Sequence, residues 1–241
     1  MKLAVISDIH GNLEALKEVL ADIDFKGIET VVCLGDNIGY GPEPEQVIKL
    51  LRSRKIPSLM GNHELGLVNK DNLHGFNPLA KRSLLQTEKF LSQESLAYLK
   101  TLPTNMFVNG CLLVHGFPPD SVSTYLFQFS RTQLPKIFKK MEYDLCMVGH
   151  THELLLISCT EGRVSKARLS EEVQTLAAES KYIVNVGSVG QPRDGNNNAK
   201  YVIWESKTRT LEVRFVPYDI RKTAEKIIAI GLPKAHADRL W

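Results

Sequence analysis

Five of the seven histidines in this 241-residue chain stand within three residues of the end of a short apolar run, and two aspartates and an asparagine occupy the same kind of position. Val5-Ile6-Ser7 leads to Asp8-Ile9-His10, Val32-Cys33-Leu34-Gly35 to Asp36, and Leu59-Met60-Gly61 to Asn62-His63. Leu113-Val114 leads to His115, and Met147-Val148-Gly149 to His150-Thr151-His152. Short apolar runs bounded by turn residues read as buried strands. In an open α/β sheet, ligands bind just beyond the carboxyl ends of the strands. The pattern therefore calls for a fold in which five strand ends converge on one rim.

The remaining text fits such a fold. Residues 2–7 read as a strand, followed by a helix with Leu13, Leu16, Val19, Leu20 and Ile23 at helical spacing and Asn12 as its N-cap. Residues 30–34 repeat the strand, a helix opens near Pro44 with Glu43 and Glu45 in its first turn, and residues 56–60 form a third strand. Alternation of this kind predicts βαβ units and a largely parallel sheet over the first 65 residues. Residues 65–109 read as a polar helical insertion with Leu84, Leu85, Phe90, Leu91, Leu96 and Leu99 facing a core, placed where it could cap the site. Strands resume at 111–114 and 145–148, with a helix at 131–141 between them. Residues 154–158, 182–186, 200–205 and 211–216 read as strands of a second, mixed sheet, partly antiparallel, before a closing helix near 219–230.

A hydrophobic fraction of 43% over this length supports one domain spanning 1–241, and no repeat or linker divides it. The four cysteines, Cys33, Cys111, Cys146 and Cys159, lack any C-x-x-C pairing and read as reduced thiols, most of them buried. The first apolar run is too short for a signal peptide and no stretch is long enough to span a membrane, so the expected location is cytoplasmic. A formal charge of +3 is too small to indicate a nucleic-acid coat and leaves small anionic substrates open. Both a monomer and a homo-oligomer are compatible with these features.

In extended backbone the two donors of Asp8-x-His10, and likewise of His150-x-His152, lie on the same side, so each pair can grip one centre. Glycines 11, 35, 61, 116 and 149 flank the donors, as sharp turns and close backbone approach require. Mixed carboxylate, amide and imidazole donors suit Mn, Fe, Co, Ni or Zn, with Mn favoured, better than the all-oxygen shells of Ca or Mg. A single Asp-x-His or His-x-His is more often a structural group. Five such elements, each behind a strand, point to a metal centre built from Asp8, His10, Asp36, Asn62, His115, His150 and His152.

These blocks resemble those of the calcineurin-like metallophosphoesterase superfamily, D-x-H, G-D, G-N-H-[DE], a lone H and G-H-x-H, in order and spacing. The stretch from Asn185 to Gly195 is similar to a further signature of the small bacterial and archaeal phosphodiesterase branch. The resemblance implies a four-layer αββα sandwich, two mixed sheets flanked by helices with the metals at the sheet rim. It assigns Asp8, His10 and His152 to one divalent ion, Asn62, His115 and His150 to the other, and Asp36 as the bridge. It further implies phosphate-ester hydrolysis by a hydroxide bridging two divalent metals, since a metal-bound water can fall to a pKa near 7. His63 has no slot among the donors, and the resemblance places it towards the substrate as proton donor or charge stabiliser.

One departure narrows the activity. Phosphoprotein phosphatases of the superfamily read G-D-x-x-D-R-G, whereas this chain has Gly39 and Tyr40 where the acid and arginine would stand. Protein phosphatase activity is therefore not expected. Arg193 is the best replacement for gripping phosphate, and Tyr40 could line a base or sugar pocket. His74 and His236 stand in polar text and are read as bystanders. The expected activity is a phosphodiesterase on a small anionic or nucleotide substrate. Phosphomonoester or dinucleoside polyphosphate hydrolysis, action on nucleic-acid ends, and a protein-binding scaffold on the same fold are the alternatives.

Overall fold

The computed structural model describes residues 1–130 and 132–241. The chain opens with strand β1 (Lys2–Ile6), helix α1 (Leu13–Phe25), β2 (Thr30–Cys33) and α2 (Pro44–Ser53). Three short helices follow, α3 (Asn62–Val68), α4 (Pro78–Thr87) and α5 (Gln93–Leu99). Next come β3 (Asn105–Val108), β4 (Cys111–Val114), α6 (Leu134–Lys140) and β5 (Leu145–Val148). The second half is strand-rich, with β6 (Leu154–Thr160), β7 (Arg163–Arg168), β8 (Val173–Thr175), β9 (Lys181–Val186), β10 (Ala199–Glu205) and β11 (Thr210–Val216). Helices α7 (Ile220–Ala229) and α8 (Lys234–Asp238) close the chain.

The strands form two mixed sheets, ordered β2-β1-β10-β11-β8 and β3-β4-β5-β9-β6-β7. Alternation along each strand sorts side chains between layers. Leu3 and Val5 join Leu113, Met147 and Val184 in the core between the sheets, while Ala4 and Ile6 face outwards onto Leu16, Val19 and Ile23 of α1. On the far side, Val114, Cys146, Val148 and Ile183 pack against Leu134 and Phe138 of α6. Helix, sheet, sheet and helix thus form the expected four layers. Among the described residues, no helix is long and apolar enough to cross a membrane. All four cysteines are unpaired, and burial pushes the thiols of Cys33 and Cys111 up to about 12.

Several expectations needed correction. Residues 56–60 do not form a strand: they meet β2 only through the bridge Cys33–Ser58, with Cys33 N donating to Pro57 O and Leu59 N to Cys33 O. Pro57 has no N–H to extend the ladder. The insertion yields to strand β3 at Asn105, and Leu85 and Phe90 are exposed while Leu84, Leu91 and Leu99 are buried. The late strands do not make a sheet of their own. β10 pairs antiparallel with β1 and carries β11, while β9 pairs parallel with β5 and carries β6 antiparallel on its other edge. Strands β7 and β8 escaped notice since they are largely exposed and carry little apolar alternation. The helix expected at 131–141 occupies Leu134–Lys140, and Arg131 lies outside the described residues.

Helix α1 is tied to the first sheet by Asp22, which accepts from Tyr201 Oη at 2.7 Å and from Arg214 Nε and Nη2 at 3.1 and 3.0 Å. Replacing Tyr201 by Phe should cost about 1 kcal/mol, and Asp22→Ala about 2 kcal/mol because it orphans both partners. Chemical denaturation of the two variants checks the order; equal losses would contradict it.

Candidate dinuclear metal centre

The loops after β1, β2, β4 and β5 and the turn into α3 at Asn62 meet on one rim, and the backbone there is bent sharply. Asp8, His10, Asp36, His150 and His152 all have φ between 49° and 70°. Non-glycine residues enter this left-handed region at roughly 1 kcal/mol or more each. Neighbouring loops hold the bends, with Asp8 N donating to Gly35 O at 3.0 Å, His10 N to Asp36 O at 2.8 Å and Gly149 N to His115 O at 2.8 Å. Gly149 cannot be larger, since a Cβ there would strike the Ser7 hydroxyl and the Asp8 carboxylate.

Two buried triads result, Asp8–His10–His152 and Asp36–His115–His150, each with ligand atoms within 4.8 Å of one another. His152 Nε2 is 3.3 Å from Asp8 Oδ1 and 3.1 Å from His10 Nε2. His115 Nε2 is 3.4 Å from Asp36 Oδ2 and 3.2 Å from Asn62 Oδ1. Asp36 Oδ2 also lies 3.6 Å from His10 Nε2, between the two groups. Ligands at about 2.0–2.2 Å from one ion stand on the order of 3–3.5 Å apart, so the spacing suits first-row divalent metals.

Ring tautomers sharpen this fit. His10 Nδ1 donates to Ile38 O at 2.9 Å and His152 Nδ1 to Gln191 O at 2.6 Å. A neutral imidazole has one N–H, so both Nε2 atoms present lone pairs to each other at 3.1 Å. Neither ring takes a second proton readily, because burial holds both well below the usual histidine range. A cation between them resolves the repulsion. His115 Nδ1 is held by Leu34 O at 3.1 Å and His150 Nε2 by Ser123 O at 3.2 Å, which turns the other nitrogen of each inwards. Metal-ligating histidines are oriented by such outer bonds.

His63 differs. It clusters with His10 and Asp36, so distance alone would admit it as a ligand. Its Nδ1 is buried without a hydrogen-bond partner among the described residues, so no carbonyl fixes its tautomer. The ring is confined by packing instead, with His10, Tyr40 and Phe76 at centroid distances of 4.7, 4.6 and 5.0 Å.

Charges in the site oppose one another. Burial pushes Asp8 up to about 6, whereas Asp36, despite burial, is held well below the usual range by His115 and His63. Burial alone would lower His115, yet Asp36 raises it to about 9. Burial brings His150 down to about 3 and His63 to about 4.

A second layer, whose residues fall in the motif blocks but whose role the sequence did not give, holds the first. Buried Glu64 accepts from Asp36 N and Gly61 N at 2.9 Å and from Asn37 N at 2.7 Å, clamping two donor loops together. Asn185 Nδ2 donates to Gly149 O at 2.7 Å and Thr151 Oγ1 at 2.8 Å, and Ser188 Oγ to Asp8 O at 2.8 Å. The late glycine-rich stretch is therefore a strut beneath the rim. Its sequence signal was the resemblance of residues 185–195 to a family signature, which says nothing of the bonds it makes.

The family model of the calcineurin-like phosphoesterases matches residues 1–154. The chain belongs to this family. An uncharacterised protein of Methanocaldococcus jannaschii is 38% identical over 244 residues, covering 99% of this chain and 97% of its own. The crystal structure of a metallophosphoesterase from Sphaerobacter thermophilus is similar at a TM-score of 0.85 and 34% identity, over 100% of this chain and 98% of that one. A protein of Pyrococcus horikoshii OT3 shares the fold, with a TM-score of 0.80 at 20% identity over 100% and 97% of the chains. Family membership makes this phosphoesterase a phosphate-ester hydrolase and implies a dinuclear divalent centre, which the donor set and ring tautomers fit.

Around that centre, Gly39 at φ +86° lies so close that a Cβ would collide with His63 Nδ1. No acid could stand there without moving the histidine. Tyr40, 9% exposed, packs against both His10 and His63, and the Arg193 guanidinium lies 5.8 Å above its ring. Arg193 Nη2 donates to Gln191 Oε1 at 2.9 Å and its charge opposes protonation of His10, His63 and His152. His236 is not the polar bystander the sequence suggested: it is buried, 4.8 Å from the Tyr40 ring. Its helix is too short to show an apolar face in the text. His74 stays outside the site, in the 3-10 helix Lys70–Gly75.

Two outcomes follow for metal loading. An ion must displace the His115 proton, whose folded pKa is about 9, so loading at pH 7 should release protons and apparent affinity should rise towards pH 9. Calorimetric titrations in buffers of different ionisation enthalpy check this; an affinity flat from pH 6 to 9 would contradict it. Glu64→Gln puts an amide N–H against backbone donors and should weaken metal binding by roughly 10- to 100-fold, as measured by competition with a chromogenic chelator.

Proposed function

We propose that this phosphoesterase hydrolyses a phosphodiester bond in a small anionic substrate of nucleotide type. In this reading Asp8, His10 and His152 hold one divalent ion and Asn62, His115 and His150 the other, with Asp36 shared and Mn favoured. Once bound, the ions supply hydroxide at neutral pH and polarise the phosphoryl oxygens. Arg193 grips a non-bridging phosphate oxygen. His63, within 4.0 Å of Asp36 Oδ2, turns its Nε2 to the substrate and donates to the leaving oxygen as the P–O bond breaks. An anionic phosphate beside the ring favours its protonation, opposing the effect of burial.

A single cavity carries the reading. It has a volume of about 610 Å³, within the ~300–1,000 Å³ typical of small-ligand sites, and opens onto Asn62 and His150. Tyr40, Phe76 and Tyr125 give it aromatic walls, and Asn77 and Gln128 add amides. Flat, hydrogen-bonding bases suit such walls better than a bare phosphate does. A larger cleft of about 660 Å³ under Phe117 and Tyr143 touches none of the donors and takes no part. Arg193, near Tyr40 and His10, adds a guanidinium on the phosphate side of the donors.

Residues 1–241 act as one domain in this account, and the 65–109 stretch caps the cavity, to which Leu65, Phe76 and Ala80 contribute walls. The free, high-pKa cysteines support a cytoplasmic location.

With Mn present, kcat/KM on a nucleotide diester should exceed that on the matching monoester by at least about tenfold; preference for the monoester or for a dinucleoside polyphosphate would overturn the diester reading. His63→Ala should lower kcat by roughly 10²–10⁴ while metal content by elemental assay stays at two ions.

A further inference from the structure

His63 lacks the hydrogen bond that normally sets an imidazole, and Gly39 leaves no room for an acid to supply one. Its orientation depends on the rings around it. Of these, Tyr40 is itself in the left-handed region, with φ +62°, and a further ring packs against it. That ring comes from the last residues of the chain. His236 of α8 places its ring 4.8 Å from the Tyr40 ring at an interplanar angle of 49°.

His236 is fixed in turn. Ser83 of α4 lies 2.5 Å from its Nε2, and the Ser83 hydroxyl already donates to Leu79 O at 3.0 Å. Ser83 has one proton to give, so it accepts from His236 Nε2–H, and Nδ1 is the unprotonated nitrogen. Gln86 of the same helix donates to Ile230 O at 3.1 Å, a second tie between α4 and the C-terminal segment. Leu232 and Leu240 are buried with Ile227 of α7, which anchors α8 independently of His236.

We propose that His236 is a positioning residue for the hydrolytic site, acting through Tyr40 to hold His63 in its productive orientation. The chain of contacts runs from Ser83 to His236, Tyr40 and His63, and it joins cap helix α4, the C-terminal helix and the metal rim. This rests on the reading of His63 as the substrate-facing histidine. It also gives the C-terminal residues, which lie beyond the 1–154 family match, a share in the reaction. Small displacements of a catalytic group can cost on the order of 10²-fold in rate.

The test uses the full-length, metal-loaded enzyme and its variants. His236→Ala should lower kcat about 10- to 100-fold, with KM within about threefold and metal content unchanged. His236→Phe, which keeps the ring but not the bond to Ser83, should recover most of the rate. In a Tyr40→Ala background, adding His236→Ala should change kcat by less than about twofold, because the residue through which it acts is gone. Wild-type kcat in His236→Ala, no rescue by Phe, or a full additive loss in the Tyr40→Ala background would each overturn the proposal. Imidazole NMR of His63 provides a readout independent of turnover: its resonances should shift in His236→Ala and return in His236→Phe. Should the wild type hydrolyse no diester, the functional reading fails, and the NMR comparison still decides the positioning claim.

Discussion

The structure depends on bringing two carboxylates, an amide and four imidazoles together in one buried site. Lone pairs of His10 and His152 face each other at 3.1 Å, and five of the donors sit in left-handed backbone. Neither condition is favourable by itself. Both persist because the loops are over-determined by hydrogen bonds from Glu64, Asn185 and Ser188 and by a sheet core that fixes the strand ends. Ions held by these donors would add their binding energy to the stability of the strained loops.

This dependence explains why the first layer of the site could be read from the text and the second could not. A donor that must emerge from a strand end leaves a local trace, an apolar run followed by Asp, Asn or His. Glu64 leaves none of its purpose, because its partners, Asp36 N and Asn37 N, lie 28 and 27 residues away in sequence. His236 meets Ser83 across 153 residues. Sheet membership failed for the same reason: β10 has the alternation of any strand, and nothing local says that it pairs with β1 rather than β9. Buried strands such as β4 and β5 were legible, whereas exposed β7 was not.

The chain order has a further consequence. The donors are all in place by His152, yet β10 is the direct neighbour of β1, and Val189 N and Gly190 N donate to Ser7 O and Asp8 O. The first sheet cannot close, nor the Asp8 loop settle, before the last third of the chain arrives. Non-local pairing of this kind raises contact order and slows folding. The donor motifs alone are therefore not an autonomous metal-binding unit.

Gly39 and Tyr40 show how one substitution pair changes the physical basis of a site. An acid beside the histidine would fix its ring through a hydrogen bond to Nδ1 and would add negative charge next to Asp36. Glycine removes both, and the ring is left to Tyr40, Phe76 and His10. Packing fixes the position of the ring without adding charge beside it. Tyr40 likewise brings no cation where the protein phosphatases carry an arginine. In the proposed reading, the second substituent of a diester fills the aromatic cavity beside Asn62 and His150.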